Sequence, residues 1–244
     1  MIEINQLKGV EAKIYRKNGS LESCRFSEKN EIRIGSNVVI PRFSEPDYRC
    51  KYREALSFYE DGTIKSIYLE ERQLVDTPLG KQEAELLTYY KSGNLHRFFP
   101  LYGQISAYWS EECEKELAPK MSIEVGEQNI IGKVSCICFY ESGNVKSITL
   151  WPGENFTVKV GAHELTGRIG VSFYESGAVK SVEPVFHTYV EINGEKTHVY
   201  DPFANGISGD KNSLVFSEDG KIIDYVTIEK KKGSESNEET ECIC

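Results

Sequence analysis

Cys136 and Cys138 stand at i and i+2, and Cys242 and Cys244 repeat that spacing at the C-terminus. On a strand, residues i and i+2 leave the same face, so two such pairs could gather four thiolates around zinc or Cu(I). Against that, Val134, Cys136, Cys138 and Tyr140 form one apolar stripe, in which a free cysteine packs as a small hydrophobe. His187 and His198 flank Gly194 and could approach each other across the hairpin 188–199, where two imidazoles can hold a metal or share a proton, though no carboxylate or cysteine stands at a defined spacing beside them. Asp201, Asn205, Asp210 and Asn212 offer oxygen ligands beside glycines. Their spacing is not that of an EF-hand, and the same residue types make ordinary turns. Glu111, Glu112, Glu114 and Glu116 read as a solvated helix face, and His96 as a surface residue. No P-loop, dinucleotide fingerprint, Gly-x-Ser-x-Gly elbow or His-Glu-x-x-His pair occurs. No catalytic residue and no cofactor is expected, and the chain reads as a binding protein before an enzyme.

The elements that must position these residues are copies of one unit. Phe58 to Ile67 (FYEDGTIKSI), Tyr89 to Phe98 (YYKSGNLHRF), Phe139 to Ile148 (FYESGNVKSI) and Phe173 to Val182 (FYESGAVKSV) are near repeats. Looser copies run from Ile14 to Ser23 and from Val215 to Tyr225. Asp-Gly and Ser-Gly between apolar runs mark hairpin turns, because glycine takes the positive φ a tight turn needs. Tyr59 enters such a turn and Ile64 leaves it, an aromatic expected to face a β-branched residue across the strands. A second glycine lies between copies, at Gly35, Gly80, Gly126, Gly161 and Gly194, which gives a beat of two strands and two turns. The motif lysines Lys65, Lys146 and Lys180 recur at one position and read as solvated edge guards.

Two stretches break the beat. Residues 99–109 suggest an extra hairpin turning at Gly103, followed by a short helix that Ser110 caps and Pro119 stops. Residues 200–212 are rich in turn formers. Function on a repeat scaffold tends to sit in such departures. The expected fold is therefore all-β: repeated antiparallel β-hairpins forming an elongated twisted meander or a curled β-shell, with a β-propeller as the alternative. Residues 1–230 read as one hairpin-repeat domain, and 231–244 as an acidic tail too poor in apolar surface to order.

A net charge of −9 argues against nucleic acid or an anionic membrane as the main partner. No run approaches 18 apolar residues, the N-terminus lacks signal-peptide character, and seven cysteines follow no framework spacing. The expectation is a cytoplasmic protein with reduced thiols.

The copies Phe139-Tyr140-Glu141-Ser142-Gly143-Asn144-Val145-Lys146-Ser147 and Phe173-Tyr174-Glu175-Ser176-Gly177-Ala178-Val179-Lys180-Ser181 resemble the MORN-variant repeat of bacterial proteins. The resemblance covers the hairpin cores, about a quarter of the chain, and its motif is short. It implies hairpins added side by side into a sheet used for protein contacts, including antitoxin-like roles. The family's step is shorter and regular, whereas motif glycines here lie 31 to 50 residues apart. The Tyr-Asp repeat of toxin shells is similar more distantly. The first expectation for function is a non-catalytic scaffold with exposed anchors such as Tyr108 and Trp109 for a protein partner. The second, of another class, is a small-molecule- or metal-binding protein with its site at the 201–212 loop or the His187/His198 hairpin.

The core reading of the cysteines has a measurable consequence. Replacing Cys136 and Cys138 together by alanine is expected to cost on the order of 1–3 kcal/mol in denaturant unfolding and to leave metal content unchanged. Loss of a bound ion with little loss of stability would establish the ligand reading instead.

Overall fold

A computed structural model describes residues 6–51, 53–205 and 209–228. The acidic tail, with Cys242 and Cys244, lies outside the described residues. In chain order the strands are β1 (Val10–Tyr15), β2 (Leu21–Phe26), β3 (Ile32–Ile34), β4 (Asn37–Val39), β5 (Leu56–Phe58), β6 (Ile64–Thr77), β7 (Gly80–Tyr89) and β8 (Leu95–Phe99). Helix α1 (Glu111–Leu117) follows, and then β9 (Lys120–Val125), β10 (Gln128–Phe139), β11 (Val145–Leu150), β12 (Asn155–Val160) and β13 (His163–Phe173). The last are β14 (Val179–Pro184), β15 (Tyr189–Ile192), β16 (Glu195–His198), β17 (Leu214–Phe216) and β18 (Ile222–Tyr225). The protein is all-β, built of antiparallel hairpins and not closed into a barrel.

The chain packs as two compact units, Met1–Pro119 with Ser135–Asn144, and Lys120–Val134 with Val145–Cys244. In the first, strands pair in the order β1-β2-β5-β6-β7-β8 and on to the C-terminal half of β10. In the second, β11-β13-β14-β17-β18 pair in turn, β12 adds to the front half of β13, and β9 adds to the front half of β10. Pairing of β6 with β7 breaks between Tyr68 and Gln73, and that of β13 with β14 between Gly167 and Val171. The hairpins β3–β4 and β15–β16 stand as separate two-stranded ribbons.

Each motif turn has one construction. The second motif residue donates its N–H across the turn and accepts from the glycine: Tyr59 N to Thr63 O at 2.8 Å with Gly62 N to Tyr59 O at 3.0 Å, and Tyr174 N to Ala178 O at 2.8 Å with Gly177 N to Tyr174 O at 2.9 Å. The same pair of bonds closes the turns at Gly19, Gly93, Gly143 and Gly220. All six glycines have φ between 82° and 96°, a region a Cβ resists. Three residues in the loop move the pairing by one, so Phe58, and not Tyr59, lies opposite Ile64, while Ser57 lies opposite Ser66. Lys65 is the extra residue of a β-bulge. Glu22, His96, Lys180 and Ile223 take the same bulge position. The motif lysine is thus a bulge residue, and not the edge guard the sequence suggested. His96 there is half-buried against the Tyr90 ring at 4.4 Å.

The bulge restores register so that like residues line up across strands. In the first unit Cys24, Leu56, Ile67, Leu87, Phe98 and Ile137 make one cross-strand row, each no more than 1% exposed. In the second unit Ile148, Val171, Val182 and Leu214 do the same. Burying a Leu, Ile or Val side chain contributes roughly 1.5–3 kcal/mol, so these rows dominate the folding energy. On the opposite face the motif serine forms a hydroxyl row, Ser23–Ser57–Ser66–Thr88 and Ser147–Ser172–Ser181. Ser57 and Ser66 hydroxyls share a 2.6 Å hydrogen bond, as do Ser172 and Ser181.

Tyr59, freed from cross-strand pairing, reaches the next repeat instead. Its hydroxyl donates to Tyr89 O at 2.8 Å; Tyr90 does likewise to Phe139 O, and Tyr174 to Phe216 O, each at 2.8 Å. In the first copy Arg16 stands at that position, and its guanidinium donates to Phe58 O. The second aromatic of the motif is a tie between repeats. Tyr174→Phe keeps the ring and removes the donor, so it is expected to cost about 0.5–1.5 kcal/mol. The urea midpoint should fall with an unchanged slope.

Candidate functional site

The largest departure from the repeat, residues 99–119, is organised by one buried carboxylate. Ser110 caps α1 by accepting from Cys113 N at 3.2 Å, and the helix ends at Ala118 before Pro119, as the sequence predicts. The acidic face of that helix is not all solvated, however: Glu114 is 1% exposed. Its two oxygens accept from Arg49 Nε at 2.8 Å, Arg49 Nη2 at 2.7 Å, Gly103 N at 2.6 Å and Trp109 Nε1 at 2.7 Å. Arg49 Nη2 also donates to Glu85 on β7 at 2.7 Å, and Glu85 accepts from Tyr102 N at 2.8 Å.

Burial alone would push the Glu114 carboxyl up, but hydrogen bonds from Arg49, Trp109 and Gly103 outweigh it and hold the group below the usual carboxylate range. The Arg49 guanidinium loses solvation by burial, yet Glu114 and Glu85 hold it firmly protonated. Gly103 therefore turns no hairpin, in contrast to the sequence expectation. A Cβ there would lie 2.1 Å from Glu114 Oε2, so glycine is required by close approach of the carboxylate. The segment between Leu101 and Ser110 is irregular, closed by a bridge between Ser106 and Trp109.

What this carboxylate fixes is an exposed aromatic platform. Tyr108 is 86% exposed, Tyr48 65% and Ile105 51%. Trp109 is half-buried, its N–H held by Glu114 and its ring 5.4 Å from that of Tyr48. Beneath, Arg53 stacks over the rings of Tyr68 at 5.6 Å and Tyr102 at 5.0 Å. Burial pushes the Tyr68 phenol up to about 12.

The other sequence candidates are spent on structure. Asp201 is buried and accepts from Phe203 N at 2.9 Å, an Asx-turn. Asp210 accepts from the Ser147 hydroxyl, and Asn212 Nδ2 donates to Ser181 Oγ at 2.8 Å and Gly209 O at 2.9 Å. That loop is pinned to the serine row; Asn205 is exposed, and 206–208 lie outside the described residues. His198 lies opposite Tyr189, with ring centroids 4.9 Å apart, and its Nε2 bonds to Phe186 O. His187 and His198 both pack on the Phe186 ring, at 4.8 and 5.3 Å, and the residue opposite His198 across the hairpin is Tyr189. Cys136 and Cys138 are buried, and Arg97 lies opposite Cys138, a basic neighbour the sequence did not suggest. Among the described residues, no group of three or more His, Cys, Asp or Glu is arranged to hold a metal.

Sequence reasoning also missed a second buried carboxylate. Glu183 on β14 is 1% exposed and accepts from Ser213 N at 2.9 Å and Ser213 Oγ at 2.8 Å, with Arg168 at 3.4 Å. Here burial pushes the carboxyl up more than Ser213 and Arg168 pull it down. Two glutamates of equal exposure thus shift oppositely: Arg49, Trp109 and Gly103 outweigh burial at Glu114, whereas at Glu183 burial, with Asp201 nearby, prevails. A strand ending in Val-Glu-Pro held no signal of this.

Glu114→Gln leaves Arg49 with one carboxylate in place of two and is expected to cost about 3 kcal/mol. Because the folded Glu114 carboxyl is held low, the stability it contributes is complete above the ordinary glutamate range near ~4.3 and is lost as pH falls through the lower folded value. Urea midpoints from pH 7 to 3 should fall for the native chain in that acid window and fall less for Glu114→Gln; parallel curves would contradict the assignment.

No family model, no curated protein and no solved structure matches this chain, so its function has to be argued from its own geometry.

Proposed function

We propose that the protein is a non-catalytic repeat scaffold that binds a protein partner through the platform carrying Tyr48, Ile105 and Tyr108. The observation that carries this reading is the cost structure of residues 99–119. A buried ion pair is expensive to desolvate, and it returns specificity of conformation where it returns little stability. Here Arg49 and Glu114 hold in one shape a loop whose outer surface is aromatic and exposed. Tyrosine and tryptophan set rigidly at a surface are favoured anchors of protein interfaces. The resemblance of the hairpin motif to MORN-variant repeats points the same way, toward protein contacts and antitoxin-like roles. A small-molecule or metal site at the 201–212 loop or the His187/His198 hairpin draws less support, since Asp201, Asp210, Asn212 and His198 already bond within the protein. We place the protein in the cytoplasm: the described cysteines are all unbridged, Cys50 and Cys113 among them reaching solvent. No helix among the described residues is long and apolar enough to cross a membrane.

A photo-crosslinking residue at position 108 tests the reading in cells, with position 189 as the control because Tyr189 is also exposed. One discrete adduct from 108 and none from 189 is expected. The purified partner should then lose at least about tenfold in affinity to Tyr108→Ala, as a hot-spot aromatic does. No adduct from 108, or an affinity unmoved by Tyr108→Ala, overturns the proposal.

A further inference from the structure

Beside the aromatic platform, Arg25, Arg42, Lys51 and Arg53 converge on one shallow recess of the first unit, with Ser44 and Pro46 in its wall. Recess and platform share one segment of chain. Asp47 N donates to Cys50 O at 2.8 Å, and the Asp47 carboxylate accepts from Arg49 N at 2.8 Å, which closes a turn over 47–50. That turn carries Tyr48, and the residues on either side of it, Pro46 and Lys51, both line the recess. Arg53 stacks on the Tyr102 ring, and Gln104, its carboxamide oxygen turned toward that guanidinium, accepts from it one residue before Ile105.

The cations here differ from the others in how they are compensated. The chain has 38 acidic residues against 29 basic, and Arg16, Arg49, Arg72 and Arg168 each hold a carboxylate at 2.7 to 3.9 Å. Among the described residues, no carboxylate pairs with Arg42, Lys51 or Arg53. Arg42 Nη2 meets Glu45 O at 3.5 Å. The partners of Arg53 are the Tyr68 hydroxyl at 3.2 Å, Gln104 and two aromatic rings, all neutral. Glu70 reaches the wall at Ser44, but its oxygens are taken by Phe43 N at 2.7 Å, Ser44 N at 3.1 Å and the Ser44 hydroxyl. Arg42 and Arg53 are half-buried, so they give up water without gaining a counter-charge. Like charges gathered this way also repel one another, and an anion set among them relieves both costs.

The size of the recess says what form that anion takes. It holds about 10 Å³, room for one water-sized group and far less than the roughly 300–1,000 Å³ of a small-molecule site. It therefore suits a single carboxylate oxygen on a longer ligand that lies across the surface, and the planar guanidinium fork matches a carboxylate's geometry. Resting on the platform reading above, we propose that the protein partner presents an acidic segment there. Its carboxylates accept from Arg42, Lys51 and Arg53, while apolar residues next to them pack on Tyr48, Ile105 and Tyr108.

Fluorescence polarisation of labelled hexaglutamate with the full chain tests this, with hexaglutamine and hexathymidylate as neutral and nucleic-acid probes. Saturable binding of one hexaglutamate is expected, with hexaglutamine unbound. Lys51→Glu, at an exposed site, and Arg42→Gln should each weaken it about tenfold. Lys17→Glu should leave it unchanged, since Lys17 lies on the Gly19 turn and glutamate already fills its place at Glu60, Glu141 and Glu175. No binding, or equal weakening by Lys17→Glu, would overturn the proposal. Tighter binding of hexathymidylate would overturn the choice of a protein segment. A gain of about tenfold on removing residues 231–244 would assign the recess to the chain's own acidic tail, and would equally overturn it. The platform reading fails separately. No adduct from position 108 with hexaglutamate still bound would overturn the platform and the partner with it. A crosslinked partner whose affinity ignores both Lys51→Glu and Arg42→Gln would overturn the acidic segment alone.

Discussion

A glycine at positive φ closes every motif turn, donating its N–H to the residue that opens the turn while that residue's N–H crosses to the far side, and the rest of the repeat depends on that closure. The closure leaves one residue too many on the outgoing strand, and the surplus becomes the bulge at Lys65, Lys180 and their counterparts. Strand side chains alternate strictly, so a loop without its bulge would send every serine into the apolar row and every isoleucine out of it. The variable-apolar-Lys-Ser-apolar tail of the motif is therefore a register device. Lysine is well suited to the surplus place, since its stem can lie along the sheet while its charge stays in water.

The turns were legible because glycine next to Asp, Ser or Asn is a local signal, and both sets of glycines prove to be turn residues, including Gly35, Gly80, Gly126, Gly161 and Gly194. The helix was legible from Ser110 and Pro119 for the same reason. Pairing partners were not. Counting back from the turn put Tyr59 opposite Ile64, and only the three-residue loop with its bulge shows that Phe58 belongs there. Glu114 was beyond reach of the sequence altogether. Nothing within a few residues of it announces that Arg49, 65 positions earlier, will meet it. Gly103 looked like a turn for want of that knowledge. Tyr89 among the buried phenylalanines of its column was too small a difference to read, since Tyr15 fills the same place in the first copy.

Polar groups are buried in this protein on three different terms. The hydroxyl pairs Ser57–Ser66 and Ser172–Ser181, with Ser147 on Asp210 and Asn212 on Ser181, cost little while they hold strands and a loop together. The Arg49–Glu114–Glu85 cluster is fully bonded but charged, and its return is the fixed shape of residues 99–119. Thr88 and Tyr89 belong to neither group, for their hydroxyls are both buried and unbonded.

That ranking separates structure from function on physical grounds. A satisfied hydroxyl row explains itself by stability, and a repeat can carry it in every copy. A charged cluster in a single insertion cannot be explained so cheaply, because apolar side chains of the same volume would hold the loop at least as firmly. It is explained when the loop must present Tyr48 and Tyr108 to a partner in one conformation, which an apolar plug sealing the same space need not specify. A charged cluster confined to the one insertion whose outer surface is aromatic and exposed is the departure on which the proposed partner-binding face rests.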